Sequence, residues 1–435
     1  MRFVPSPNFS ELPDTIEPWP RPNGLKTRPD DGQDDECQEV VEHYRKDKAW
    51  RWSGRRVYFF CDIHADADAF FLSLEASGGI HRTGLADTEF ELSESGENAL
   101  FIIGGDCFDK GPNNLRLLEA IHQLYLKGAD IKLLAGNHDI RTFLGIYYAE
   151  NKDVLLDHLF VRMGRKTVPF LKEIYDHYVD PEDLEAEADE AAIRSLLYPA
   201  EPWFQLFPDA AKLWMPEIKL KKELKGVRQK TKEFEERVVN VGLDLKMVYL
   251  AVKKFRELFF EPEGRYYWFF SKMKLAHREG SYLFVHAGLD DEIAARLFEE
   301  DASALNKEFS QVISSDPFAL YHGVLGNVFR TKYRDHEYQF TTEGVAHLHR
   351  AGIYAIVHGH RNILRGPRMV IREGMLNFEC DASVDRNTRK VEGLQGPGAA
   401  AVIFEPGGEV KAISTDYPYI KSFRPTVTIG KVHAV

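Results

Sequence analysis

ALFIIGGDCFDKG, from Ala99 to Gly111, is the stretch on which the fold of this chain turns. An apolar run stops abruptly at two glycines and Asp106. A second acid follows at Asp109, and Gly111-Pro112 turns the chain into the helix-like NNLRLLEAIHQLYLKGA. A short apolar run bounded by turn residues reads as a buried strand. It carries its carboxylates to its own C-terminal end, where open α/β sheets place their ligands.

The segments on either side have the same construction. Upstream, RRVYFFCDIHADADAFFLSLEASGG reads as a strand, a loop with Asp62 and His64, and a helix whose apolar face holds Phe70, Phe71 and Leu74. Downstream, IKLLAGNHD is a strand ending in Asn137, His138 and Asp139. The order β-α-β-α-β implies a parallel or mixed sheet with helices packed on it. Strand-like runs return in SYLFVHAGLD and GIYAIVHGHRN, and MLNFECDAS, GAAAVIFEP and EVKAISTD close the chain. These last three are expected to form a second sheet packed on the first. The fold class is therefore α/β, a β-sandwich of two mixed sheets flanked by helices.

Between these parts, residues 141–278 look almost wholly helical. They are too long for a loop and are expected to be a helical insertion with its own packing. Its charge run KLKKELKGVRQKTKEFEERV reads as a solvated helix face. Residues 1–48, rich in Pro, Asp and Glu, read as an extended or partly disordered arm. The expected catalytic core is thus 49–140 with 279–435.

Composition narrows the function. A net charge of -12 argues against a general nucleic-acid or anionic-membrane binder, which needs a basic surface. The four cysteines show no CxxC or disulfide-framework spacing, which suits reduced thiols and a cytoplasmic protein. No signal-peptide pattern opens the sequence, and no run of 18 apolar residues suggests a membrane span.

Five successive strand ends finish in oxygen or imidazole donors: CDIH, GGDCFD, GNHD, VHAG and VHGH. One such residue is ordinarily a cap or a core histidine. Five in order point to two divalent cations sharing Asp106, which clamp phosphoryl oxygens and activate a water. Mixed nitrogen and oxygen donors favour Mn, then Fe, Zn or Co, over Mg or Ca. Cys107 adjoins the bridging acid but belongs to the opposite face of the strand.

The ordered set D-x-H, G-D-x-x-D, G-N-H-D, H and G-H resembles the calcineurin-like metallophosphoesterase superfamily, and GGDCFDKG is similar to the GDxxDRG of its phosphoprotein phosphatase branch. The resemblance implies that Asp62, His64 and Asp106 hold one metal, and that Asp106, Asn137, His286 and His360 hold the other. It makes His138 the acid that protonates the leaving group, with Asp139 orienting it through a hydrogen bond and Asp109 in the catalytic set. Lys110 replaces the family's phosphate-gripping Arg and lacks its planar fork. Arg334 is therefore the candidate phosphate clamp, followed by Arg330 and Arg141. His358 is weighed between metal contact and a place behind the ligands. His122, His177, His277, His347 and His349 fall on helical stretches and read as structural or solvated.

The implied activity is hydrolysis of phosphomonoesters, Ser/Thr protein phosphatase-like, on a phosphopeptide or small phosphoester. A diadenosine tetraphosphatase-like hydrolase of nucleotide polyphosphates is the alternative, and a catalytically silent scaffold stands behind both. The insertion is a candidate lid, partner-docking surface or oligomer contact.

Overall fold

The computed structural model describes residues 12–19, 34–180, 182, 189–331 and 339–429. Two mixed sheets face each other. The larger runs from edge to edge through Ile16–Pro18, Ile420–Phe423, Val410–Ser414, Ala400–Phe404, Val57–Phe60, Leu100–Ile103, Asp130–Leu134 and Met273–Lys274. The smaller runs through Arg368–Arg372, Met375–Glu379, Ala355–His358, Tyr282–Val285 and Ala276–Glu279.

Strand alternation divides the core in two, because successive side chains point to opposite faces. Phe59, Leu100 and Ile102 join Tyr282, Phe284, Val357 and Phe378 between the sheets. Tyr58, Phe60, Phe101 and Ile103 point the other way, into the helices. Each Phe so buried contributes roughly 1.5–3 kcal/mol before its ordering cost. Pairing is parallel where the site forms. Phe60 lies opposite Ile103 and Ile103 opposite Leu133, while Phe284 lies opposite Val357 and Val357 opposite Phe378. Their polar C-terminal turns therefore lie side by side.

The closing segments distribute differently from the expectation that they form the second sheet. Only Met375–Glu379 joins the smaller sheet, whereas Ala400–Phe404 pairs antiparallel with Val57–Phe60 and draws Val410–Ser414 and Ile420–Phe423 onto the larger one. The expected arm also differs. Ile16–Pro18 pairs with Ile420–Phe423, and Asp34–Asp47 is a helix whose Tyr44 is buried between Trp50 and His349. The aromatic anchors outweigh the polar composition around them.

Helices fill most of 137–271, among them Asn137–Tyr147, Leu159–Met163, Val168–Tyr178, Glu217–Asn240 and Leu245–Phe260. Met273–Lys274 and Ala276–Glu279, read above as helical, are strands, and His277 lies on the second of them. Nor does the insertion pack separately. Phe170, Phe234 and Phe255 belong to one continuous core with Phe60, Phe101 and Leu118 of the sheet and its first helices.

Candidate metal centre

Most of the residues at the site, though neither Asn137 nor His286, sit on turns the backbone must strain to make. Asp62 (φ 53°), His64 (48°), Asp106 (54°), Asp109 (67°), Lys110 (63°) and His360 (69°) all lie in the left-handed region, at a cost of roughly 1 kcal/mol or more each. Two glycines permit the close approach. A Cβ at Gly136 would strike the backbone nitrogen and carboxylate of Asp106, and one at Gly359 would strike Asp62 Oδ2.

Two groups of donors result, Asp62–His64–Asp106 and Asp106–His286–His360, with the ligand atoms of each within 4.8 Å of one another. Asp106 belongs to both. Its Oδ2 stands 3.9 Å from His64 Nε2 and its Oδ1 3.4 Å from His286 Nε2, so the two oxygens face different imidazoles. The tautomers are set from behind. His64 Nδ1 bonds to the Phe108 carbonyl (3.1 Å) and His286 Nδ1 to that of Gly104 (2.8 Å), which leaves each Nε2 lone pair turned inward. The Asn137 amide can present its oxygen to His286 Nε2 at 3.4 Å. Turned over, it accepts from Arg141 Nη2 (2.9 Å) and the His138 N–H (3.2 Å), and its nitrogen donates to His360 Nδ1 (2.7 Å).

The electrostatics suit cations. Burial, then the neighbouring Asp106, pushes Asp62 up to about 8. Asp106 itself is held low despite its burial, because His286, His138, His64 and Lys110 surround it. Burial lowers His64 far below its usual range, keeping it neutral as a ligand must be. A dry pair of carboxylates with inward imidazole lone pairs is a donor set that fits two divalent ions.

His138 Nδ1 lies 2.8 Å from Asp109 Oδ2, and its Nε2 turns toward Asp106. Asp109, not Asp139, therefore props the imidazole. Asp139 faces the other way, accepting from the N–H groups of Asp106 (2.8 Å), Cys107 (3.0 Å), Phe108 (3.2 Å) and Gly136 (3.2 Å). It holds the bridging loop against the start of the Asn137–Tyr147 helix. Lys110 Nζ reaches His64 Nε2 at 2.6 Å. His358 stands outside both donor groups, with Nδ1 3.0 Å from the Gly359 carbonyl and its pKa lowered to about 4 by burial. Arg334 lies outside the described residues. Arg330 donates from Nε to the Tyr321 carbonyl, 2.8 Å away.

The helical insertion contributes groups that no motif signalled. Thr167 Oγ1 donates to Asp109 Oδ1 (3.2 Å), so the dyad is fixed from both sides. Lys166 feels Lys110 and Arg141 after the penalty of its own burial. Phe108 is gripped by Phe170 and Phe269, with both ring centroids at 4.8 Å. Cys61, Cys107 and Cys380 are free and buried, with thiols pushed up by desolvation.

The family model of the calcineurin-like phosphoesterases matches residues 55–225. The chain carries a calcineurin-like phosphoesterase domain. It is a phosphoester hydrolase, and the phosphoesterase draws His286 and His360 from beyond the matched span. No curated protein matches the chain in sequence. Among solved structures, a cold-active protein tyrosine phosphatase is 13% identical over 89% of this chain and 83% of its own, with a TM-score of 0.46. One from Shewanella is 13% identical over 87% and 82%, TM-score 0.43. A protein serine/threonine phosphatase from Saccharomyces cerevisiae is 11% identical over 92% and 91%, TM-score 0.37. No helix among the described residues is long and apolar enough to cross a membrane.

Proposed function

We propose that this phosphoesterase hydrolyses phosphomonoesters at a two-metal centre of the phosphoprotein phosphatase kind. Asp62, His64 and Asp106 would hold one ion, and Asp106, Asn137, His286 and His360 the other. The observation that carries this reading is the division of Asp106, whose two oxygens face separate imidazoles. Bound there, two divalent ions, Mn foremost, would neutralise the phosphoryl oxygens and supply an activated water.

The chain's own residues do the rest. His138, buried and propped by Asp109 at 2.8 Å, holds a proton where an alkoxide leaves. Thr167 restrains Asp109 in turn. Lys110 and Arg141 bring positive charge to the phosphate without a carboxylate partner among the described residues. Mass-spectrometric metal analysis with an assay on p-nitrophenyl phosphate tests the reading. Two ions per chain and turnover that chelation abolishes are expected, while a full-rate enzyme without metal overturns it.

A further inference from the structure

Beside the metal centre, five helices bring charged side chains to one place. Arg141 comes from Asn137–Tyr147, Arg162 from Leu159–Met163, Glu223 and Lys230 from Glu217–Asn240, Tyr321 from Pro317–His322 and Arg330 from Val324–Arg330. The guanidinium carbons of Arg162 and Arg330 lie 4.7 and 5.4 Å from the Tyr321 ring centroid. Lys230 Nζ donates to the Arg162 carbonyl at 3.1 Å. The charge run read as a solvated face therefore turns one lysine inward.

Four cations converge, and the one carboxylate bonded to any of them among the described residues is Glu223, 2.6 Å from Arg162. Arg141 Nε is buried with no hydrogen-bond partner among the described residues. Like charges packed this closely in partly dry surroundings repel one another unless an anion joins them. Their effect is felt within the cluster. Although burial raises it, the Tyr321 hydroxyl is held down to about 8 by Arg162, Arg141, Arg330 and Lys230, and Lys230 itself falls to about 8 through burial and the two nearer arginines. The side chains of Arg162 and Glu223 remain 13% and 20% exposed, so the cluster lines a reachable wall and not a sealed core.

We propose that Arg141, Arg162, Lys230, Arg330 and Tyr321 form a subsite for a second phosphoryl group of the substrate, beside the one that is cleaved. A carboxylate carries one charge, whereas a phosphoryl brings close to two and three acceptor oxygens to a cluster with several guanidinium forks. Arg141, against Asn137, links the subsite to the metal centre. The preferred substrates are small bisphosphates or nucleotides. The inference rests on the phosphomonoesterase reading above.

Propyl phosphate and propane-1,3-diyl bisphosphate differ only by the second phosphoryl and make the test. The wild-type kcat/KM ratio is expected to favour the bisphosphate at least tenfold, and Lys230→Gln and Arg330→Gln should each bring that ratio toward one through KM. Calorimetric binding of methylenediphosphonate should weaken about tenfold in both variants. A wild-type ratio near one, a ratio unchanged in both variants, or preference for an acidic phosphopeptide over the bisphosphate overturns the subsite. Should the wild type hydrolyse neither ester, the phosphomonoesterase reading fails by itself. The diphosphonate titration then decides the subsite: binding weakened by the variants upholds it, and unchanged binding overturns it.

Discussion

The two sides of this centre are built by opposite means. On the strand side, donors sit at the ends of parallel strands, Asp62, His64, Asp106 and His360 on strained turns, and are fixed by glycines and by backbone hydrogen bonds behind them. On the helix side, Lys166 and Thr167 come from the turn before Val168–Tyr178, Arg162 from Leu159–Met163 and Lys230 from Glu217–Asn240, and these three points of a long insertion meet only through packing. A tight turn needs particular residues at adjacent positions and so leaves a local motif. A side chain delivered by a helix needs one residue per helix, and the fold alone says which. The strand side should therefore hold what the reaction cannot lack, and the helix side what tunes it.

Changes at the two sides should differ accordingly. Asp106→Asn should abolish the shared ligand, lowering metal content from two ions per chain and kcat/KM by about a thousandfold or more; retention of both ions and near-native rate would break the contrast. His138→Ala should cost about 10²–10⁴-fold on alkyl phosphates and less on p-nitrophenyl phosphate, whose leaving group needs little protonation. Asp109→Asn should follow the same leaving-group pattern, since it props that imidazole. Equal losses on both esters would refute the acid role.

Asp139→Asn sharpens the distinction within one motif. It should lower stability by about 1–3 kcal/mol in denaturant unfolding, because an amide nitrogen would face the N–H groups of the bridging loop. The ratio of rates on the two esters should stay put. Thr167→Val, on the helix side, is expected to change kcat only a few-fold, about 1 kcal/mol or less in barrier terms. A loss as large as that of His138→Ala would show that the insertion belongs to the essential machinery.

The misplacement of Asp139 has a geometric cause. His138 and Asp139 are neighbours in sequence, which suggests a pair, but both lie in the first turn of a helix, where consecutive side chains diverge by about 100°. One points to the reaction and the other back to the loop. The sandwich and the donor groups were legible because Asp62, His64, Asp106, His286 and His360 each end a buried apolar run. The sheet that each closing strand joins was not, since GAAAVIFEP pairs with VYFF over three hundred residues away. Lys230 was hidden by composition, one inward lysine in a helix otherwise largely exposed. The aromatic grip on Phe108 was equally silent, being a meeting of Phe170 and Phe269 from distant turns.

The position of Val57–Phe60 between Leu100–Ile103 and Ala400–Phe404 bears on how the molecule is made. As the chain leaves the ribosome, the strand that carries Asp62 gains one neighbour early and waits for the other until about three hundred further residues have emerged. At roughly 5–20 residues per second that interval is on the order of tens of seconds. An apolar edge stands open throughout, and a nascent chain stalled short of Ala400 would present it to other chains. The stretch matched at 55–225 thus lacks the strand that closes one side of Val57–Phe60, and cut out by itself it would carry that edge unpaired.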